Sequence, residues 1–423
     1  MHTLILRRGK SESLRRYHPW VFSGAVFKII EETHDLQEGD LVRIVESIKS
    51  EEGAHYDFIA IGHYQVGSIA VRVLTFEDEE INSAFWTRRL HEAFLVRKRL
   101  GLVRPLQSSS PEALQTSNTM FRLVHGEGDR LPGLIIDVYG DTAVMQAHSV
   151  GMHVSRQVIA DTLCEATEGL VKNVYYKSET TLPYKAPITG EKEGWLVGHS
   201  DVNVALENGI KFHIDWLEGQ KTGFFVDQRD NRALLEEYAR GKNVLNMFCY
   251  TGGFSVYALR GGANLVHSVD ASARAIELTN ANVALNFPAD SADAFQRQTA
   301  SAHEGYCEDA FKYLERAGGD YDLIILDPPA FAKHKDALRN ALKGYTRLNA
   351  IAFKKIRPGG IVFTFSCSQA VNKDQFRLAV FTAAAQSGRH VRILHQLHQP
   401  ADHPINIYHP EGEYLKGLVL YVE

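Results

Sequence analysis

From about residue 210 onward the chain repeats one unit: an unbroken apolar run of strand length, a turn, then a segment with helical spacing. The run "NVLNMF" leads into "TGGFSVYALRGGA", "LVHSVD" into "ASARAIELTNANVALN", and "YDLIILDPP" is followed by a helix around "YTRLNAIAFKKIRPGG". "IVFTFSCS" then precedes a helix around "KDQFRLAVFTAAAQSG" and two last strands, "HVRILHQL" and "YLKGLVLYVE". Strands that are apolar throughout must be covered on both faces, and intervening helices are the connections a parallel sheet requires. Residues 210–423 are therefore expected to form a doubly wound α/β domain. No helix separates the last two strands, so the final one is expected to run antiparallel to its neighbour.

Ahead of that repeat the pattern differs. Residues 1–76 hold short β-type runs punctuated by glycine ("WVFSGAVFKI", "GDLVRIVE", "DFIAIGHY", "SIAVRVLTF"), the spacing of a small barrel or sandwich. Residues 77–209 open with "INSAFWTRRLHEAFLVRKRLG", helical in its apolar spacing, pass through the polar loop "RPLQSSSPEALQTSNT", and continue as a central α+β unit. A chain of 423 residues, 44% hydrophobic, has room for three such units. No run approaches the length of a membrane span and the N-terminus lacks a signal-peptide core, so the expected location is cytoplasmic, with no membrane partner. Cys164, Cys249, Cys307 and Cys367 are scattered singly, and His395, His398, His403 and His409 follow no ligand spacing, so neither a disulfide framework nor a metal site is expected.

A net charge of −5 argues weakly against a nucleic-acid partner, but the average hides two basic segments. Residues 1–30 carry Arg7, Arg8, Lys10, Arg15, Arg16 and Lys28 against Glu12 alone, and residues 86–104 carry Arg88, Arg89, Arg97, Lys98, Arg99 and Arg104 against Glu92. Each segment reads equally well as a phosphate-neutralising surface or as an ordinary solvated face. Trp20, Phe22 and Phe27 are expected in the core of the first unit rather than stacked on bases.

Ligands of a doubly wound sheet sit beyond the carboxyl ends of its strands. The first strand ends at "NMFCYTGGFS", which lacks the G-x-G-x-x-G that a diphosphate needs, yet Thr251, Gly252 and Gly253 open a helix whose free N–H groups suit a carboxylate. Asp270 closes the second strand, where an acid can accept the hydroxyls of a ribose, or merely cap the next helix. Together they favour a nucleoside cofactor without a diphosphate, and S-adenosylmethionine (SAM) fits. Asp327-Pro328-Pro329 ends a further buried strand in a rigid loop at the same edge.

The stretches "HPWVFSGAV" (18–26), "GDLVRIVE" (39–46), "LVHGEGDRLPGLIIDVYGD" (123–141), "GQKTGFFVDQRDNR" (219–232), "VLNMFCYTGGFSVYA" (244–258), "VDASARAIELTNANVALN" (269–286), "LDPPAF" (326–331) and "TFSCS" (364–368) carry a resemblance. The chain is similar to the RlmI-like class I SAM-dependent methyltransferases that make 5-methylcytosine in large-subunit ribosomal RNA and carry an N-terminal PUA domain. The resemblance implies a PUA-like β-barrel over 1–76, a central α+β domain over 77–209, and a Rossmann-like seven-stranded methyltransferase domain over 210–423. It implies large-subunit ribosomal RNA as partner and leaves a homodimer open. By the same resemblance Phe225, Gln228 and Arg232 lie at the cofactor entrance, Asn246, Phe248, Thr251 and Gly252 line its methionine side, Asp270 and Ser272 its ribose and Asp309 its adenine edge, with Asp327 beside the reacting groups.

C5 of cytosine is a poor nucleophile unless a thiolate first adds to C6 and converts the ring to an enamine. Such chemistry requires a cysteine whose thiolate is favoured by nearby positive charge and that is open to an extruded base. Cys367, between two serines at a strand end, is either a small buried hydrophobe or that nucleophile. With the resemblance, the nucleophile is expected, and Asp327 is expected to hydrogen-bond the N3/N4 edge of the ring. The alternatives are N-methylation of an RNA purine, where an aromatic usually takes the position of Ala330, and a non-catalytic PUA-type RNA-binding protein.

Overall fold

A computed structural model describes residues 1–423 except 33, 51–52, 104–116, 184–187, 292, 294–297, 300–301 and 333–334. Most of the polar loop expected over 104–119, and Arg104 with it, lies outside the described residues.

The first unit is a six-stranded sheet of β1 (His2–Leu6), β2 (Trp20–Phe22), β3 (Val26–Ile30), β4 (Leu41–Ser50), β5 (Gly53–Tyr64) and β6 (Ile69–Thr75), ordered β2-β6-β5-β4-β1-β3. Alternate residues Leu4 and Leu6, Val42 and Ile44, and Val71 and Val73 point inward and form its core. Phe22 and Phe27, expected in that core, are 46% and 68% exposed. They sit on β2 and β3, the two edges of the sheet, and on β2 the alternation turns Val21 inward instead.

Helix α1 (Ser83–Arg99) follows, its start capped by Asn82, which accepts from the Phe85 N–H. Phe85, Trp86, Leu90 and Phe94 bury one stripe of it against the central unit. Two residues of the basic segment on this helix are spent inside the protein, buried Arg97 donating to Asp129 (2.8 Å) and buried Arg89 to the Leu74 carbonyl (3.0 Å), while Arg88 and Lys98 form surface pairs with Glu79 and Glu168 (2.6 Å each). The central sheet orders β11 (Glu193–Val197), β10 (Asn173–Lys177), β9 (Thr142–Ala147), β8 (Leu134–Tyr139) and β7 (Met120–His125), with α2 (Arg156–Ala166) packed against α1.

A hairpin, β12 (Val204–Glu207) and β13 (Ile210–His213), turns through Asn208 and Gly209, both at positive φ as a two-residue turn requires. It docks on the next unit, where the His213 and Lys211 N–H groups donate to Asn282 and Asn286 (2.8 and 3.0 Å). A division at 209/210 falls inside that turn.

The last unit is a seven-stranded sheet: β14 (Asn243–Met247), β15 (Leu265–Asp270), β16 (His303–Cys307), β17 (Leu323–Leu326), β18 (Gly360–Ser366), β19 (Val391–Leu397) and β20 (Lys416–Val422). Its helices are α3 (Arg229–Ala239), α4 (Gly253–Arg260), α5 (Ala273–Asn286), α6 (Ala310–Arg316), α7 (Leu338–Lys355) and α8 (Lys373–Ser387). The strand order is β16-β15-β14-β17-β18-β20-β19, and the final strand is antiparallel to both neighbours, inserted between β18 and β19. Both faces are covered: Leu323 and Ile325 of β17 enter one core, Ile324 and Leu326 the other. Strand order reverses between β14 and β17, which opens a crevice beyond their carboxyl ends.

Candidate active site

The loop after β14 builds one wall of that crevice. Phe248, Tyr250 and Gly252 all have positive φ (59°, 48° and 77°), a strained choice for two bulky aromatics that costs on the order of 1 kcal/mol each and is found where a site over-determines the backbone. The strain is held from outside the loop. The Cys249 N–H donates to the Val269 carbonyl (3.1 Å), the Tyr250 N–H to Asp270 (3.0 Å), and Thr279 to the Tyr250 carbonyl (2.9 Å). Gly252 is needed because a Cβ there would meet Thr279 Cγ2 at 2.6 Å. The turn delivers the first N–H groups of α4 to a cavity of ≈ 310 Å³ lined on its other sides by Phe225, Phe248, Asp270, Asp309, Asp327, Pro328, Pro329 and Cys367. A larger depression of ≈ 640 Å³ lies away from the strand ends, between α7 and α8, and is lined by helix surfaces alone.

Asp327, at the end of β17, accepts from Gln228 Nε2 (3.0 Å), and Gln228 is oriented in turn by Asn231, which donates to its Oε1 (2.7 Å). Burial first, then the charge of Asp227, push the Asp327 carboxyl up to about 7, so near neutral pH it holds a proton for much of the time. Asp227 behaves oppositely. Burial would raise it, but Lys221, His403, a hydrogen bond from Tyr414 (2.6 Å) and Arg122 hold it below the usual carboxylate range. Cys367, one residue past β18, is pushed up to about 11 by burial and by Asp327 and Asp227, with Lys221 pulling the other way. The expectation of a thiol made acidic by its surroundings is therefore not met: burial and two carboxylates oppose its ionisation more strongly than Lys221 favours it.

The cavity brings together Phe225, Gln228, Arg232, Phe248, Thr251, Asp270, Asp309, Asp327 and Cys367. Three other candidates are not among the residues that line it. Asn246 donates to Ser255 (2.8 Å) beneath the loop, Ser272 caps α5 by accepting from the Ala275 N–H, and Gly252 serves the turn. Arg232 reaches the cavity but is spent on structure: it is 2% exposed, forms a fork with Glu207 (2.7 and 2.6 Å), and its second nitrogen donates to the Phe225 carbonyl (3.0 Å). Asp309 caps α6 through the Lys312 N–H. Cys249 is buried, its thiol pushed well up by burial and Asp270, as suits packing. Asp227, Lys221 and Tyr414 escaped the sequence reading. Asp227 and Lys221 lie inside the quoted "GQKTGFFVDQRDNR" stretch and could have been singled out there, whereas Tyr414 is 187 residues from its partner.

Asp270 at the end of β15, the α4 N-terminus and the aromatic walls fit a nucleoside that bears a carboxylate and no diphosphate. Comparisons with known proteins agree. A model of S-adenosylmethionine-dependent methyltransferases matches residues 188–412, and a PUA-like domain model matches residues 4–76. The chain is 39% identical to "Ribosomal RNA large subunit methyltransferase I" of Tolumonas auensis, over 99% of this chain and 98% of that one. It is 37% identical to the protein of the same name from Shewanella denitrificans, with the same coverage of both chains. A solved methyltransferase from Streptococcus mutans and a solved methyltransferase complexed with SAH, each 22% identical, share the fold over the full length of both chains, with TM-scores of 0.77 and 0.78. Similarity of this extent, from the first strand of the six-stranded sheet to the last strand of the seven-stranded one, means that the chain belongs to the ribosomal RNA large subunit methyltransferase I family of SAM-dependent methyltransferases.

Proposed function

We propose that the protein methylates C5 of a cytosine in large-subunit ribosomal RNA through a transient covalent bond to Cys367. The relatives' names supply the RNA, and a cytoplasmic location follows from such a substrate. The observation that carries the cytosine is the meeting of Cys367 and Asp327, from the ends of adjacent strands β18 and β17, in the cavity that holds the cofactor-type residues. Bound SAM supplies an electrophilic methyl group and a positive charge. The protein's part is the activation of the ring. A carboxyl titrating at about 7 can donate its proton to N3 while accepting from the N4 amine, which draws electrons from C6 as sulfur adds there. Lys221 is the cation on the cavity wall that favours the thiolate. Ala330 after the two prolines leaves no aromatic at the position where N-methyltransferases of purines stack the flipped base.

The test uses RNA carrying 5-fluorocytosine, with SAM. Fluorine at C5 cannot leave as a cation, so a covalent protein–RNA adduct stable to denaturing electrophoresis is expected with the natural protein and none with Cys367→Ala. Methyl groups recovered on a purine nitrogen of natural RNA, with no adduct, would overturn the reading.

A further inference from the structure

Addition of sulfur to C6 and methylation at C5 leave a proton on C5 that must depart before the sulfur can. The reaction therefore needs a base, and neither Cys367 nor Asp327 is suited to the part. Cys367 is the leaving group, and Asp327 is held by Gln228 on the edge assigned to N3 and N4. Three further carboxylates line the cavity; Asp270 accepts from the Tyr250 and Ser272 N–H groups and Asp309 caps α6, which leaves Asp227. Asp227 is 7% exposed, and its two oxygens differ: Oδ2 accepts from the Tyr414 hydroxyl (2.6 Å), while Oδ1 is buried with no hydrogen-bond partner among the described residues. A buried acceptor left unmatched costs about 1–3 kcal/mol, and natural sites retain one where a ligand or a reacting proton completes it.

The surroundings of Asp227 give it the complementary character to Asp327. Its neighbours keep it ionised, whereas Asp327 is driven toward its protonated form partly by the Asp227 charge itself. Paired carboxyls whose environments push them apart are the usual arrangement of an acid and a base in one site. The position of Asp227 is rigid. It lies in the turn that opens α3, whose Arg229 makes a fork with Asp402 (2.9 Å on each arm).

We infer that Asp227 is the catalytic base that removes the C5 proton. The inference rests on the covalent reading above. The Cys367 thiolate forms the S–C6 bond, and C5 bonds the methyl carbon as the methyl–sulfonium bond breaks. Asp227 Oδ1 then takes the C5 proton; the C5–H electron pair becomes the C5=C6 double bond and expels Cys367 as thiolate. The carboxylic acid so formed returns its proton to water, so the products are 5-methylcytosine, S-adenosylhomocysteine and one proton.

The experiment supplies RNA tritiated at cytosine C5 together with SAM labelled in its methyl group. The natural protein is expected to release one tritium for each methyl transferred. Asp227→Asn keeps an acceptor for Tyr414 and is expected to bind SAM within about threefold of the natural protein. It should incorporate methyl once into a denaturation-stable protein–RNA adduct and release tritium at least 100-fold more slowly. Asp227→Glu, which keeps the charge, carries the test if the amide variant binds SAM poorly: tritium release should slow at least tenfold relative to methyl incorporation. Tritium release and methyl incorporation falling in step would overturn the assignment, as would a loss of SAM affinity in both variants that accounts for the whole defect, which would make Asp227 a cofactor ligand. Failure of the underlying reading is distinct, because the natural protein would then form no adduct with 5-fluorocytosine RNA.

Discussion

Asp327 illustrates how one side chain's surroundings decide what it can do. An isolated aspartate titrates near 3.8, whereas this one is raised to about 7 by burial and by Asp227. In the unfolded chain it ionises freely above about 4, but in the folded protein ionisation is opposed up to about 7. The protonated carboxyl thus leaves stability intact below the unfolded pKa, and a penalty accumulates as pH rises through the interval toward the folded one. Asp327→Asn, which resembles the neutral form, should match the natural protein's melting temperature near pH 4 and exceed it by a few degrees at pH 8. Thermal melts across that range check it, and a difference constant with pH would show that the carboxyl is not held neutral. The thiol carries a related lesson. The type and position of Cys367 were legible in "TFSCS", but its resistance to ionisation was not, because Asp227 and Asp327 approach it from different segments of the chain.

At the scale of elements, the site depends on a hairpin that lies outside the parallel sheet. Glu207 at the end of β12 is fully buried and accepts both arms of Arg232 on α3, and Arg232 in turn holds the Phe225 carbonyl at the cavity wall. Removing one partner of such a pair strands a buried charge, at a cost of about 3–5 kcal/mol, whereas replacing both by apolar groups of similar volume is often neutral. Glu207→Leu is therefore expected to destabilise by about that amount, and Glu207→Leu with Arg232→Met to recover most of it, as measured by chemical denaturation. Equal losses in the single and double variants would mean that the hairpin is held by apolar contacts instead. The resemblance placed Arg232 at the cofactor entrance, but nothing near residue 207 announced its acid as the partner of Arg232, since the two are joined only by docking of the hairpin.

Across the whole molecule, the central unit is tied to the catalytic one through its C-terminal loop. Buried Asp402 takes the Arg229 fork, its carbonyl accepts from Arg97 of α1 (2.6 Å), and its carboxylate accepts from the Arg122 N–H of β7 (3.0 Å). Gly128 sits so close to this loop that a Cβ would meet the Pro404 carbonyl at 1.9 Å. Gly128→Ala should therefore loosen the docking of the central unit, splitting a calorimetric melt into separate transitions and lowering methyl transfer to RNA, while SAM affinity stays within about twofold. A single unchanged transition would show that the contact is not structural. The basic stretch 86–104 belongs to the same scale: its charge count invited an RNA surface, yet Arg97 and Arg89 are buried and paired within the protein. What the sequence by itself determined is what local physics can express: continuous apolar strands that demand helices on both faces, glycines at a turn, and a carboxylate and a thiol each at the end of a buried strand. Only the tertiary structure decided which side chains face one another across the crevice, which basic residues are consumed inside, and how each acid titrates. Burial and charge are properties of surroundings assembled from residues as much as 305 positions apart, and no local window of sequence contains them.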